Sequence, residues 1–195
     1  MSAAVTLKLD IHDYWHPGTG RGRGAGADAI VHRASHGLPE LPGRSLRGLL
    51  REALREAAQY GWLDEFDAEG DPVETLFGTR DTQAGQRSHP GSLRVDSARL
   101  PDELACWLAL PEQIAQRNLL YRTVYSTAID APGCLRSQEV IVPLTLYARI
   151  EALPDALAPE RWQAMLERAL PLIDAVGSKR RRGLGRATLT LENAA

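Results

Sequence analysis

Lysine is nearly absent from this 195-residue chain, although basic residues are common. Of the 23 basic residues only Lys8 and Lys179 are lysines, which leaves 21 arginines. Arginine is favoured where planar, bidentate contacts to phosphate matter. A G+C-rich genome explains most of the excess, since alanine and glycine are frequent as well. The places where arginines cluster are therefore better evidence than their number.

Long apolar runs and paired cysteines are also missing. No stretch approaches the ~18 to 20 apolar residues of a membrane span, and the residues from Val5 onward alternate instead of forming an apolar signal peptide. Cys106 and Cys134 lie far apart and lack metal-ligand spacing. We therefore expect a cytoplasmic protein with reduced cysteines and no membrane partner. An apolar content of 44% supports a packed core, and the length suits one domain over residues 1–195.

Hydrophobic periodicity predicts an α+β fold. Pro171 should kink or end the second helix, and Pro143 should make the third strand an edge or a bulged strand. The order strand, helix, strand, strand, helix, strand is that of a ferredoxin-like domain, with two helices on one face of an antiparallel sheet. The strands are predicted at 4–12, 93–95, 138–151 and 187–191, and the helices at 44–60 and 159–176.

One short segment concentrates the positive charge. Residues 177–186 hold three glycines and five cations in a chain of net charge -2. Glycine lets a ligand come close to backbone N–H groups. Both these N–H groups and the forked guanidinium groups of arginine suit phosphate. Because the segment lacks the Gly-Lys-Ser/Thr ending of an ATP-binding loop, it favours nucleic acid over a nucleotide. Its predicted binding residues are Gly177, Ser178, Lys179, Arg180, Arg181, Arg182, Gly183, Gly185 and Arg186.

A second glycine- and arginine-containing segment covers residues 12–28. Glycine occupies every second position from 18 to 26, which predicts a mobile loop with little to pack. A flexible linker is one interpretation, and the basic segment near the C-terminus favours contact with nucleic acid instead. Two cations and two aromatic residues would make that contact by charge and by base stacking: Arg21, Arg23, Tyr14 and Trp15.

The first predicted helix opens with Leu41-Pro-Gly-Arg-Ser-Leu-Arg-Gly48. Ser45 is a candidate N-cap, and a helix N-terminus attracts phosphate. Gly48 weakens the helix by roughly 1 kcal/mol relative to alanine, which indicates close approach of another backbone, of protein or of RNA. Three arginines share one face: Arg44, Arg47 and Arg51. The alternative is a solvated basic face with a Glu52–Arg55 pair.

These motifs together resemble those of the RAMP superfamily of CRISPR proteins. The resemblance rests on the turn at 41–48, on Leu76-Phe77-Gly78 followed by Gly91-Ser-Leu-Arg-Val-Asp-Ser-Ala98, and on the glycine-rich loop at 177–186. With the N-terminal strand they span nearly the whole chain in the family's order. Among RAMP proteins the chain is most similar to the crRNA-binding backbone subunits of type III effector complexes.

The resemblance implies an RNA-recognition-like, ferredoxin-like domain with inserted loops and a thumb hairpin at about 121–139. Copies of such subunits line up along a guide RNA, and their thumbs wedge into the guide–target duplex. The expected partners are therefore crRNA, target RNA, other effector subunits and further copies of this chain. Arg122 and Arg136 would be the RNA-binding cations of the hairpin.

The resemblance also implies a possible nuclease. In some of these subunits, an aspartate in the loop before the Pro-Gly turn cuts target RNA with a divalent metal, and the matching position is Asp28. Mg²⁺ or another divalent ion would then be a cofactor that activates the ribose hydroxyl and steadies phosphate charge. A lone loop aspartate is otherwise a turn former or an ion-pair partner.

Two alternatives remain open. Histidine can pass protons in metal-independent RNA cleavage, and a related RAMP class cuts the CRISPR repeat transcript in that way. The spacing of the early histidines does not match a zinc site. The other alternative is a non-catalytic scaffold or filament cap. The histidines in question are His12, His16, His32 and His36.

Overall fold

A computed structural model of the protein describes residues 4–19, 29–66, 70–79, 89–128, 131–153 and 157–193. Arg21, Arg23 and Asp28 lie outside the described residues. The strands are β1 (Ala4–Ile11), β2 (Glu40–Leu41), β3 (Leu93–Val95), β4 (Ala98–Arg99), β5 (Tyr121–Ala128), β6 (Ala131–Ile141), β7 (Leu144–Ala152) and β8 (Ala187–Asn193). The helices are α1 (Gly43–Gln59), α2 (Pro72–Phe77), α3 (Asp102–Ala109), α4 (Ile114–Leu119) and α5 (Pro159–Ala169). None of the described helices is long and apolar enough to span a membrane.

The main sheet is antiparallel and places the first strand at its centre. Within the described residues it has six strands in the order β2-β4-β7-β1-β8, and β3 pairs with β7 as well. β1 runs antiparallel to β7 on one side and to β8 on the other. The α+β prediction is confirmed, and the chain returns its last strand to the side of its first, as in a ferredoxin-like domain.

The core lies between one face of this sheet and two helices. Strand β1 alternates strictly, so that its odd-numbered residues are buried and its even-numbered ones are partly exposed. The buried residues of β1 belong to the same core as those of α1 and α5, and the two helices contact each other. Helical spacing gives each helix a buried stripe: Leu46, Leu50, Ala53, Leu54 and Ala57 on α1, and Trp162, Met165, Leu166 and Ala169 on α5.

Two prolines set boundaries that periodicity alone did not. The strand predicted at 138–151 is two strands, since β6 ends before Pro143 and β7 begins after it. β6 pairs with β5 in a separate two-stranded sheet, whereas β7 joins the main sheet. Proline has no N–H for a ladder bond, so the chain turns there. The regular part of α5 ends at Ala169, before a 3-10 turn that contains Pro171.

The β5–β6 hairpin covers the stretch in which a thumb is predicted. Its register pairs Tyr121 with Ile141 and Thr123 with Glu139, and the register shifts between Thr127 and Ala128. The base of the hairpin is tied to the main body because Trp15 and Ile141 exchange two backbone hydrogen bonds, of 3.1 and 2.9 Å. The hairpin therefore starts from a fixed base.

Candidate nucleic-acid interface

The glycine-rich loop requires glycine at two of its positions. Gly177 and Gly185 have φ angles of +84° and +79°, which other residues rarely adopt. A Cβ atom on Gly177 would lie 2.8 Å from the carbonyl oxygen of His16, and one on Gly185 would lie 2.0 Å from that of Val176. These glycines let the loop lie directly against neighbouring backbone.

Both ends of the loop are anchored to residues 14–16. The backbone N–H and the hydroxyl of Ser178 donate to the carbonyl oxygen of His16 at 2.8 and 2.9 Å. At the other end the N–H of Gly185 donates to the carbonyl oxygen of Tyr14 at 2.8 Å. The ends are thus fixed, and the middle of the loop faces solvent.

The middle of the loop carries the cations. Lys179 has a left-handed backbone with φ 59°, and Arg180–Arg182 form a single 3-10 turn. All four side chains are exposed. The Lys179 ammonium donates to the side-chain oxygen of Gln138 on β6, and Arg186 pairs with Asp13 at 3.2 Å. In the described part of the chain no carboxylate pairs with the three successive arginines, so their donors are available to an anion.

A groove joins this loop to the start of α1. We call it the α1–loop groove, and it has a volume of about 540 Å³. One wall comes from α1, the other from the loop, and Pro17–Gly18 close one side. It therefore brings together two segments that the sequence predicted separately as phosphate sites. Its lining includes Ser45, Gly48 and Glu52 of α1, and Gly177, Ser178 and Arg180 of the loop.

The start of α1 differs from the prediction at Ser45. Pro42 occupies the N-cap position and makes no side-chain cap, and Ser45 lies inside the helix. The N–H of Gly43 instead donates to the hydroxyl of Ser97 at 3.1 Å. Ser97 lies between β3 and β4, so a residue distant in sequence supplies the cap. Ser45 is left exposed in the groove, and Arg44 is exposed beside it.

Arg47 and Arg51 have a structural role that the sequence did not indicate. Arg47 donates to the carbonyl oxygen of Phe77 at 2.9 Å and to that of Leu93. Arg51 donates to the carbonyl oxygen of Gly78 at 2.8 Å. Both side chains are half-buried, and burial lowers the pKa of Arg47, as does the charge of Arg51. These guanidinium groups brace α1 against the segments around α2 and β3, on a different face from the groove-lining residues.

The segment that follows Asp28 is fixed to the base of the hairpin. The N–H of Glu139 donates to the carbonyl oxygen of Ala29 at 3.0 Å. The Glu139 carboxylate pairs with Arg33, whose guanidinium lies 3.7 Å from the ring centroid of Tyr121. Burial raises the pKa of Tyr121 to about 12, and its hydroxyl donates to the carbonyl oxygen of Gly37 at 2.6 Å.

The remaining residues predicted to contact nucleic acid differ in their exposure. Trp15 is fully buried and cannot stack on a base, whereas Tyr14 is 43% exposed. Arg122 is exposed and donates to the carbonyl oxygens of Leu119 and Tyr121, both at 2.8 Å. Arg136 is exposed on β6. Both hairpin arginines are therefore within reach of a ligand, although Arg122 is partly engaged.

The early histidines have separate partners. The ring of His12 hydrogen-bonds Thr188 at 2.8 Å, and His32 donates to Glu40 at 3.2 Å. His16 is buried, and its Nδ1 donates to the carbonyl oxygen of Glu139 at 2.7 Å. Burial lowers the pKa of His16, which favours the neutral ring. His36 is exposed with φ 58°. Over the described ranges no three histidine, cysteine or acidic residues group to hold a metal.

Comparison with known proteins gives a family and a fold. Residues 8–188 match the sequence model of the RAMP superfamily. Among solved structures, the chain is similar to a chain in the cryo-EM structure of the type III-B Cmr-beta bound to cognate target RNA, with a TM-score of 0.63 and 12% identity. The similarity covers 98% of this chain and 60% of that one, so this chain spans about 60% of the neighbour's length. No curated protein matches the chain.

Proposed function

The chain belongs to the RAMP superfamily, and we propose that it binds crRNA as a backbone subunit of a type III CRISPR effector complex. The observation that carries the proposal is the α1–loop groove, because Arg180 lines it and Arg181 and Arg182 line the adjoining pocket of the same loop. All three arginines are exposed and have no carboxylate partner in the described chain. A groove of this kind suits the phosphates of a single strand. The structural neighbour belongs to an RNA-bound complex, which supports RNA as the ligand.

The two walls of the groove suggest how a strand is held. Arg180–Arg182 supply charge from the loop, and Ser45 supplies a hydroxyl from the α1 wall. Arg44 is exposed at the start of α1, outside the lining of the groove, and supplies a further cation next to it. Four phosphate contacts would give a slope of log affinity against log salt of about -3 for single-stranded RNA. The affinity should therefore fall steeply between low and physiological salt.

The hairpin would contact the guide–target duplex. Arg122 and Arg136 are exposed on its two strands, and the ring of Tyr125 is 64% exposed on β5. Alternation along the strands places both arginines on one face of the hairpin and Tyr125 on the other. The arginines suit phosphate contact, and the ring suits stacking on a base. The fixed base at Trp15 and Ile141 supports a hairpin that holds its position against a duplex.

An apolar surface on α3 and α4 supports a role as a subunit of a larger complex. Five large apolar side chains there are 41–55% exposed, and soluble monomers rarely cluster so many. Exposed Asp102, Glu103 and Glu112 flank them, so pairing of two copies through this surface would bring carboxylates together. We infer that a different subunit with a basic rim covers it. The five residues are Leu104, Trp107, Leu110, Ile114 and Leu119.

We further propose that Asp28 cleaves target RNA with the help of Mg²⁺ or another divalent ion. It rests on the resemblance of the segment, together with the anchoring of the next residue, Ala29, beside the hairpin base. Asp28→Ala in the assembled complex should abolish cleavage and leave crRNA bound. Normal cutting by that variant would refute the assignment. Cleavage of repeat RNA by the purified chain in EDTA would instead support the histidine alternative.

The crRNA-binding proposal has a direct test. Arg180→Gln, Arg181→Gln and Arg182→Gln should each lower affinity for single-stranded RNA and reduce the salt slope by about 0.7. Arg149→Gln is the matched control, since Arg149 is exposed on β7 and pairs with Glu151 at 3.3 Å, away from the groove. Equal affinities for all four variants and the parent, at every salt concentration, would refute the proposed site.

A further inference from the structure

Gly48 is a glycine that the protein's own packing does not require. It lies inside α1 with no positive φ, and a Cβ atom built on it would meet nothing within 4 Å. The other glycines whose surroundings the structure describes have a positive φ or a close neighbour. For example, a Cβ on Gly43 would lie 2.6 Å from the carbonyl oxygen of Val95, and one on Gly91 would lie 2.5 Å from that of Leu76.

No contact within the folded chain therefore offsets the destabilising effect of Gly48 on α1. Glycine inside a helix is less favourable than alanine because it loses more backbone entropy on folding. Gly48 is exposed, and the open space above it is part of the α1–loop groove. Gly18 and Gly177 line the same groove from two other segments. Three segments thus present bare backbone to one groove.

We propose that Gly48 sets the width of this groove, so that the sugar–phosphate backbone of the bound RNA lies directly against α1 at this position. The inference rests on the proposed function and adds a steric determinant to it. Glu52, one turn later, lines the same groove and pairs with Arg55 at 2.8 Å. Its carboxylate repels phosphate, so the backbone is expected to pass on the Gly48 side, opposite Ser178 and Arg180.

The test adds bulk at Gly48 and measures the binding of fluorescein-labelled single-stranded RNA by anisotropy. Gly48→Ala should melt at a higher temperature than the parent and bind RNA several-fold more weakly. Gly48→Leu should weaken binding by about tenfold, as expected when extra carbons are forced into a filled space. Gln59→Leu is the matched control, because Gln59 is an exposed, neutral residue of α1 outside the groove. It should bind RNA like the parent.

The outcomes separate the two proposals. If Gly48→Leu binds RNA like the parent while Arg180→Gln binds more weakly, the role of Gly48 is refuted and the RNA-binding function stands. If the parent itself does not bind RNA, both are refuted. Should Gly48→Leu fail to fold, Gly48→Ala decides, since its single added carbon meets nothing in the protein. Parent-like affinity of Gly48→Ala would then overturn the inference.

Discussion

Replacing Arg47 with methionine should destabilise the protein without weakening its contact with RNA. Methionine keeps the apolar stem but removes both guanidinium hydrogen bonds, to the carbonyl oxygens of Phe77 and Leu93. A hydrogen bond from a charged group contributes about 1.5–3 kcal/mol. Because Arg47 is only half-buried, the low end applies to each bond. The expected loss is about 3 kcal/mol in the free energy of unfolding.

The measurement is urea and thermal denaturation followed by circular dichroism. For a domain of this size, each kcal/mol lowers Tm by about 2–4 °C, so Arg47→Met should melt about 6–12 °C below the parent. Arg44→Met is the control, since it makes the same change on the same helix at an exposed position. Its stability should stay within about 0.5 kcal/mol of the parent.

The salt dependence of RNA binding should distinguish Arg44 from Arg47. Arg44→Met should reduce the salt slope by about 0.7, the value for one lost phosphate contact with a single strand. Arg47→Met should leave that slope unchanged at a temperature where it is folded. The reasoning is refuted if Arg47→Met keeps the parent's stability, or if it lowers the salt slope as much as Arg44→Met does.

Three further changes test other parts of the structure. Gly185→Ala should lower both Tm and RNA affinity, because its Cβ would lie 2.0 Å from the Val176 oxygen; parent-like behaviour in both assays would contradict the loop geometry. Glu40 accepts from Arg99 at 2.8 Å and from His32, and these bonds outweigh burial and lower the pKa of its carboxyl. Its stabilisation is therefore present above the usual pKa of 4.5 and lost as pH falls through the lower folded value. In Glu40→Gln the Tm should therefore decrease less than in the parent as the pH falls. An unchanged decrease would show that other carboxyl groups cause the acid sensitivity. Trp107→Asp should prevent co-purification with the other subunits while leaving RNA affinity intact, whereas normal assembly would exclude this surface as the contact.

The elements that sequence predicted best are those whose burial is periodic. Strand β1 alternates without interruption, and α1 has an apolar stripe that continues from Leu46 to Ala57, so both were found to within about a residue. α3 was not predicted, because Leu108 is its only buried residue within the described chain. A helix with most of its apolar side chains in solvent has no stripe to detect. An apolar surface that stays exposed therefore lacks the spacing of buried residues by which a helix is recognised in a sequence.

The candidate site was also predicted only in part. Glycine and arginine composition was enough to predict the loop at 177–186, but spacing could say only that Arg44, Arg47 and Arg51 share a face. It could not say that Arg47 and Arg51 donate to the carbonyl oxygens of Phe77, Gly78 and Leu93. One signal was present: Arg47 and Arg51 directly follow buried Leu46 and Leu50. Arginines at the border of a buried stripe are candidates for structural braces.

Residues 14–16 connect the two parts that would hold RNA. The carbonyl oxygens of Tyr14 and His16 accept hydrogen bonds from both ends of the glycine-rich loop. Trp15 and the ring of His16 bond the hairpin base at Ile141 and Glu139. The loop and the hairpin therefore share one buried support, because Trp15 and His16 are 0% and 3% exposed. A guide strand in the groove and a duplex at the hairpin would then be held in a fixed relation, with little rotation between the two contacts.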